Sequence, residues 1–279
     1  MTYSDAHCHL GSRQYDGDRN EMIERMLDKG VSKAIMICCS RHDLLESVKL
    51  RDLYPGFKLA VSVHPQDLEY SYGDERLEEL KRIIEEFHPD MIGETGLDYR
   101  SHPHTKAQQQ HFFHSQLELA REYDLPVNVH SRKASADTLE ILKQHHCRGI
   151  IHSYSGSIEM ARLFIKEGYY ISFGASVLFP NSHKPQQVIA QMPLDRLLIE
   201  TDSPYQSPIR DHRHEPADIA AIYRAIAEIR NISVEQLCKA VEDNFDNIFR
   251  FGDEKRHPFY YGCLIPLSVL PYTRLSCFR

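Results

Sequence analysis

The amino-acid sequence predicts an α/β fold, a single-domain TIM-type (β/α)8 barrel with a short appended C-terminal tail. Its 279 residues are close to the roughly 250 that such a barrel needs. Eight short apolar runs alternate with helix-like segments, and eight is the number of strands that closes this barrel. Several runs end in side chains that can bind a metal ion, at the strand ends where such barrels carry their active sites.

The predicted strands are continuous apolar runs rather than alternating ones, which is typical of parallel strands covered on their outer side. They span residues 3–7, 33–39, 57–63, 91–93, 127–129, 149–151, 169–173 and 197–200. Between the first two strands, Met22, Ile23, Met26 and Leu27 recur at helical spacing, and this helix is predicted to end near Gly30. A βα alternation therefore begins at the N-terminus.

The later helices have their own signals. A helix with Leu77, Leu80, Ile83 and Ile84 on one face precedes the fourth strand, and a long helix over residues 105–123 precedes the fifth. These two helices continue the alternation through the middle of the chain.

The boundaries of the remaining helices are predicted from capping residues. Ser157 is placed as an N-cap, and Gly168 lies where a C-terminal glycine belongs. A capping box over Ser233–Gln236 predicts the start of the last helix. We therefore divide the chain into a barrel over residues 1–252 and a tail over residues 253–279, whose role is unknown and which could bind a protein partner.

Composition excludes several classes of protein. With 33 basic and 40 acidic residues the net charge is −7, so no overall basic field draws the chain onto nucleic acid. The seven cysteines are odd in number and none forms a Cys-x-x-Cys pair, which favours reduced thiols over a disulfide framework. No apolar run is long enough to span a membrane, and no leader segment is recognisable. We expect a cytoplasmic protein.

His7 and His9 are the first candidate metal ligands. Residues two apart on a strand point to the same face, so both imidazoles can converge on one ion. The spacing is weak evidence alone, because the chain has 17 histidines. Further potential ligands follow at or near the ends of later apolar runs: Glu94, His130, His152 and Asp202. Together these side chains predict a metal site.

Six short motifs occur in order along residues 3–252. They are Asp5-Ala6-His7-Cys8-His9, Val63-His64-Pro65, Gly93-Glu94-Thr95-Gly96-Leu97-Asp98, Val129-His130-Ser131-Arg132, Ile151-His152-Ser153-Tyr154-Ser155-Gly156 and Glu200-Thr201-Asp202-Ser203-Pro204. In these motifs the chain resembles the TatD family of metal-dependent deoxyribonucleases, within the amidohydrolase-like metallohydrolases. Several relatives use a modified lysine on the fourth strand, whereas this chain has Glu94, which favours the TatD type.

The resemblance implies two divalent metal ions per chain, with His7, His9 and Asp202 on one ion, His130 and His152 on the other, and Glu94 between them. Mixed imidazole and carboxylate ligands suit zinc or manganese better than calcium, and magnesium is the third candidate. Two such ions can lower the pKa of a bound water and hold the oxygens of an in-line displacement. This is the chemistry of phosphodiester hydrolysis.

Catalytic and substrate-binding roles are predicted for four residues. Asp202 is expected to accept the proton of the attacking water, with Glu94 as the bridging carboxylate; a ligand role alone is the alternative for Asp202. His64 resembles a family position that contacts the substrate phosphate or the leaving group, and packing is its alternative. Arg132 could fork onto a phosphate or lie on the solvated surface.

One loop departs from the family pattern. Where the family often has Arg-Asn-Glu-Pro after the eighth strand, this chain has Arg213-His214-Glu215-Pro216. Arg213 and Glu215 keep the match, so a similar loop is expected, but the contacts of His214 do not follow from the resemblance.

The resemblance implies a DNA substrate, cleaved as a 3′-5′ exonuclease on single-stranded or frayed DNA. A metal-dependent hydrolase of a small-molecule ester, amide or lactone is the alternative, because the fold alone does not fix the substrate. A binding protein without catalysis is disfavoured, since every expected metal ligand is present.

Overall fold

The computed structural model describes residues 1–69, 73–179, 181–209 and 211–250. Eight parallel strands form one sheet in which each strand pairs with the next along the chain. The strands are β1 (Tyr3–Cys8), β2 (Val31–Cys38), β3 (Phe57–Val61), β4 (Met91–Asp98), β5 (Val127–Arg132), β6 (Gly149–Ile151), β7 (Tyr170–Phe173) and β8 (Leu197–Ile199). The predicted barrel is confirmed.

Helices connect the strands and cover the outside of the sheet. They are α1 (Arg19–Asp28), α2 (Arg41–Leu53), α3 (Glu75–Phe87), α4 (Lys106–Glu122), α5 (Ser135–His145), α6 (Ile158–Lys166), α7 (His183–Gln191), α8 (Ile219–Arg230) and α9 (Val234–Arg250). The Ser157 side chain caps α6, and Ser233 and Gln236 exchange the two hydrogen bonds of a capping box at the start of α9. Both predicted helix starts are confirmed.

The seam between the first and last strands is joined by backbone hydrogen bonds. The Asp202 amide donates to the His7 carbonyl at 2.9 Å, and the His9 amide donates to the Ser203 carbonyl at 2.8 Å. The final helix α9 packs against both β1 and β8 with a buried apolar face that includes Val241. The two ends of the described barrel therefore meet at the segment that carries the first two candidate ligands.

The fourth and fifth strands extend several residues beyond their predicted ends. The fourth was expected to stop at residue 93 and the fifth at residue 129, but they continue to Asp98 and Arg132. These residues pair across β4 and β5 despite a register shift between Gly93 and Thr95. Ladder hydrogen bonds outweigh the polar composition of both segments. As a result Glu94 and His130 lie within strands rather than after them.

Other expectations are tested in part. All cysteines in the described residues are free: Cys8, Cys38, Cys39, Cys147 and Cys238. Among the same residues, no helix combines the length and apolarity needed to cross a membrane. The predicted tail, with its possible protein partner, lies outside the part of the chain that the structure describes.

Candidate metal centre

A cavity of about 690 Å³ opens at the carboxyl ends of the strands. This volume lies within the range of small-molecule binding sites. The residues around it include His9, Cys39, His64, Glu94, His130, Arg132, His152, Asp202, Tyr205 and Gln206. Five of the six predicted ligands therefore line one cavity, and the sixth, His7, is fully buried beside them.

His7 is held so that one ring nitrogen remains available. Its Nδ1 lies 3.1 Å from the Oδ1 of Asn128, an acceptor, so Nδ1 carries the proton. The Nε2 atom is buried without a hydrogen-bond partner in the described structure. It lies 3.4 Å from Oε2 of Glu94 and 3.5 Å from Oδ1 of Asp202. A buried lone pair facing two carboxylates fits a bound cation.

Asp202 reaches the same point from the other side of the seam. Its Oδ1 lies 3.1 Å from Nε2 of His9, and its φ of 57° is a left-handed conformation that costs roughly 1–3 kcal/mol. Burial disfavours its charge, but the hydrogen bond to His9 and the nearby His7 and His152 outweigh burial and lower the pKa of Asp202 to about 2. The carboxylate is therefore ionised and available as a ligand.

Glu94 lies at the centre of the cluster. Its Oε1 is 2.5 Å from Nδ1 of His130, 3.1 Å from Nε2 of His152 and 3.5 Å from Nε2 of His64. Its Oε2 instead faces His7. Burial opposes ionisation of Glu94, but the surrounding histidines outweigh it and hold the pKa of this carboxyl well below its usual range. The two oxygens of Glu94 therefore face different imidazoles.

The ligand atoms fall into overlapping groups of three. Within each group all ligand atoms lie within 4.8 Å of one another: His7, His9 and Asp202; His7, Glu94 and His152; His64, Glu94 and His130. The structure thus brings the expected first set together. His130 and His152 both approach Glu94 but belong to different groups. His64, predicted as a catalytic and substrate-binding residue but not as a metal ligand, lies within ligand distance as well.

Comparison with known proteins identifies the family to which a chain with this fold and cluster belongs. The family model described as TatD related DNase matches residues 4–250. The chain belongs to this family.

Relatives cover nearly the whole length of this TatD-family chain. The uncharacterized metal-dependent hydrolase YabD of Bacillus subtilis is 34% identical over 253 residues, which are 89% of this chain and 99% of YabD. The mouse protein TATDN3, whose name carries a provisional deoxyribonuclease assignment, is 30% identical over 88% of this chain and 87% of its own. The crystal structure of the TatD homologue YjjV of Escherichia coli has a TM-score of 0.82 and 29% identity, and covers 89% of this chain and 98% of that one. The chain is thus similar to metal-dependent hydrolases.

Two buried carboxylates, which we did not predict from the sequence, support the histidines of this TatD-family site. Oδ2 of Asp98 lies 3.3 Å from Nε2 of His130, and Oε1 of Glu200 lies 3.0 Å from Nδ1 of His152. Asp98 is buried, which disfavours its charge, but His130 together with hydrogen bonds from Ser101 and Gln66 outweighs burial and lowers the pKa of Asp98. Carboxylates behind ligand histidines fix the ring and raise its basicity. The available signal was their place in the motifs, four residues after Glu94 and two before Asp202.

Other polar groups line the same mouth. The Arg132 side chain is half-exposed; its Nη1 donates to the Ser101 hydroxyl at 3.5 Å and lies 3.9 Å from Oδ2 of Asp98, so only long contacts hold the guanidinium at the wall of the cavity. The thiol of Cys39 lies 3.6 Å from Nδ1 of His9. Gln206 donates a hydrogen bond from its amide to Oδ2 of Asp202. The outer carboxylate oxygen of Asp202 is therefore oriented by a neutral donor.

Proposed function

We propose that this TatD-family hydrolase is a deoxyribonuclease that cleaves phosphodiester bonds with two divalent ions, acting as a 3′-5′ exonuclease on single-stranded or frayed DNA. One observation carries the proposal: the two oxygens of buried Glu94 face different imidazoles in a cluster at the open end of the barrel. Such a carboxylate is suited to lie between two cations. A pair of cations can in turn neutralise the charge on the oxygens of a phosphodiester.

The proposed ligands are His7, His9 and Asp202 for one ion, and His130 and His152 for the other, with Glu94 shared. Zinc, manganese and magnesium are the candidate ions. When bound, a pair of divalent cations lowers the pKa of water and neutralises charge on the oxygens of a phosphodiester. The neighbouring carboxylates Asp98 and Glu200 keep the second-ion histidines oriented.

Asp202 is the proposed general base. One of its oxygens faces His9 and His7, while the other accepts from Gln206 at the wall of the cavity. The outer oxygen is thus placed to take a proton from an attacking water. Arg132 and His64 line the same cavity, so they can contact phosphate oxygens or the leaving group.

DNA ends are the proposed substrate because of the shape and charge of the site. The net charge of −7 gives no general attraction for nucleic acid, so affinity depends on the cluster and on local side chains such as Arg132. A cavity of about 690 Å³ can receive an unpaired nucleotide but not the middle of a duplex. Faster cleavage of closed circular duplex than of single-stranded ends would contradict this preference.

The deciding assay is digestion of 5′-labelled single- and double-stranded DNA with added zinc, manganese or magnesium, with RNA and simple esters in parallel. We expect stepwise shortening from the 3′ end of single strands. Hydrolysis of an ester, amide or lactone without DNA cleavage would support the small-molecule alternative. Metal analysis should find two bindable ions, and the double variant His7→Ala, His9→Ala should lose one.

The variant Asp202→Asn separates the ligand role from the base role. Asparagine retains a coordinating oxygen but cannot accept the proton as a carboxylate does. We expect most metal to be retained while kcat falls by roughly 10²-fold or more, the usual contribution of a positioned general base. Metal loss that matches the activity loss would assign Asp202 as a ligand alone.

A further inference from the structure

Tyr205 is an aromatic side chain left open at the mouth of the cavity. It is 48% exposed and lines the cavity together with the metal-binding cluster. Its ring meets the ring of His9 edge-on, with centroids 5.1 Å apart and an interplanar angle of 81°. Covering the exposed part of this ring would remove apolar surface from water, which is favourable. Nothing in the described structure covers that part of the ring.

The backbone of Tyr205 is fixed from both sides although its ring is open. Its amide donates to the Asp202 carbonyl at 2.8 Å, and its carbonyl accepts from Nδ1 of His214 at 3.0 Å. His214 is fully buried, and the Tyr15 hydroxyl donates to its carbonyl at 2.6 Å. The histidine that replaces the family's usual asparagine therefore clamps the loop. A partner that stacks on Tyr205 would meet a pre-organised surface, which reduces the entropy lost on binding.

A positive charge lies across the cavity from this ring. Tyr205 adjoins His9, which directly follows β1, whereas Arg132 ends β5, and strands one and five lie opposite each other in an eight-stranded barrel. The Glu94 cluster lies between the two sides. The mouth of the site thus has an aromatic side and a cationic side with the proposed reaction centre between them.

We propose that the ring of Tyr205 stacks on a nucleobase adjoining the scissile phosphate, while Arg132 holds the next phosphate on the opposite side. The inference rests on the proposed deoxyribonuclease function and specifies how that site binds its substrate. Base stacking on an aromatic ring tolerates any sequence, because every base presents a π-face. The site would therefore bind single-stranded DNA without sequence preference. A small ester, which has no base, would not contact Tyr205 in this way.

The test compares Tyr205→Ala and Tyr205→Phe on metal-loaded protein. Substrates are single-stranded oligonucleotides that carry either a normal nucleotide or a tetrahydrofuran abasic analogue at the 3′-terminal or the penultimate position. On normal DNA we expect Tyr205→Ala to raise KM by about 5- to 150-fold with little change in kcat, the range given by one stacked base. Tyr205→Phe should behave like the unmodified protein, since the ring rather than the hydroxyl stacks.

The decisive result is the double-mutant cycle between protein and DNA. At one of the two positions, removal of the base should raise KM of the unmodified protein and have no further effect on Tyr205→Ala. Additive effects at both positions would overturn the stacking contact while leaving the deoxyribonuclease function intact. Absence of DNA cleavage by the unmodified protein would overturn the proposed function, and the stacking with it.

Two controls separate stacking from structural damage. Metal content and melting temperature of Tyr205→Ala should match those of the unmodified protein, because Tyr205 offers no metal ligand and is half-exposed. Tyr123→Ala is the matched control: this partly buried tyrosine follows α4 at the opposite end of the barrel. An equal rise in KM for Tyr123→Ala would also overturn the inference.

Discussion

The side chain of Asn128 fixes the ring of His7 through a hydrogen bond. Replacing Asn128 should therefore weaken metal binding without removing a candidate ligand. Asn128 is fully buried. Its Oδ1 lies 3.1 Å from Nδ1 of His7, and its Nδ2 donates to the Ala6 carbonyl at 3.4 Å. Because a carbonyl oxygen only accepts, it keeps the proton on Nδ1 and leaves the lone pair of Nε2 available to a metal ion.

The expected magnitude follows from this contact. Asn128→Ala removes the acceptor, so the ring of His7 can rotate or change tautomer, and support of this kind contributes about 10- to 100-fold to metal affinity. That factor corresponds to about 1.4–2.7 kcal/mol. The unpaired buried N–H also lowers the free energy of unfolding by about 1–3 kcal/mol. Asn128→Asp retains an acceptor oxygen and should retain the affinity.

The assay is competition for zinc or manganese between metal-free protein and a fluorescent chelator, with thermal melting in parallel. Asn244→Ala is the matched control, because buried Asn244 donates to the carbonyls of Leu194 and Leu197, on the α7–β8 connection and at the start of β8. It should lose stability but keep its metal affinity. Unchanged affinity of Asn128→Ala, or an equal loss in the control, would refute the reasoning.

Two further predictions concern stability. Gly96 has a φ of 138°, and a Cβ there would lie 2.1 Å from the His130 carbonyl oxygen, so Gly96→Ala should destabilise the fold by roughly 3 kcal/mol or more; soluble protein with an unchanged melting temperature would contradict this. The Arg213 guanidinium lies 2.6 Å from Asp18 and 2.8 Å from Glu215, and it lowers the pKa of Asp18. A carboxyl whose pKa is lower in the folded state than in the unfolded chain adds to the free energy of unfolding above about pH 4, and this contribution decreases as the pH falls further. Arg213→Ala should therefore lose about 1 kcal/mol at pH 7 and less at pH 3.5, and equal losses in melting experiments at both values would be the contrary result.

The fold and the grouping of the candidate metal ligands could be predicted because both depend on simple local patterns. Continuous apolar runs identify parallel strands, and barrel topology brings every strand end to one rim. His7, Glu94 and Asp202 therefore had to lie near one another once the strands were recognised.

The supporting residues could not be predicted in the same way. Asn128 lies inside an apolar strand, where nothing local indicates that its side chain faces His7. The contacts of Asp98 and Glu200 depend on the register of strands distant in sequence. The extension of β4 to Asp98 likewise depends on ladder pairing with β5 rather than on hydrophobicity.

The seam between β1 and β8 links metal binding to the order of protein synthesis. His9 and Asp202 are 193 residues apart in sequence, yet their side chains meet across this seam. A chain emerging from the ribosome presents His7 and His9 early, but Asp202 appears only after the eighth strand, and α9 must follow to cover β1 and β8. Until then, an ion bound by His7 and His9 would lack the carboxylate of Asp202, although Glu94, His130 and His152 have already been synthesised. The ligand set proposed for the first ion is therefore complete only once the seam has formed, and metal affinity should rise when the barrel closes.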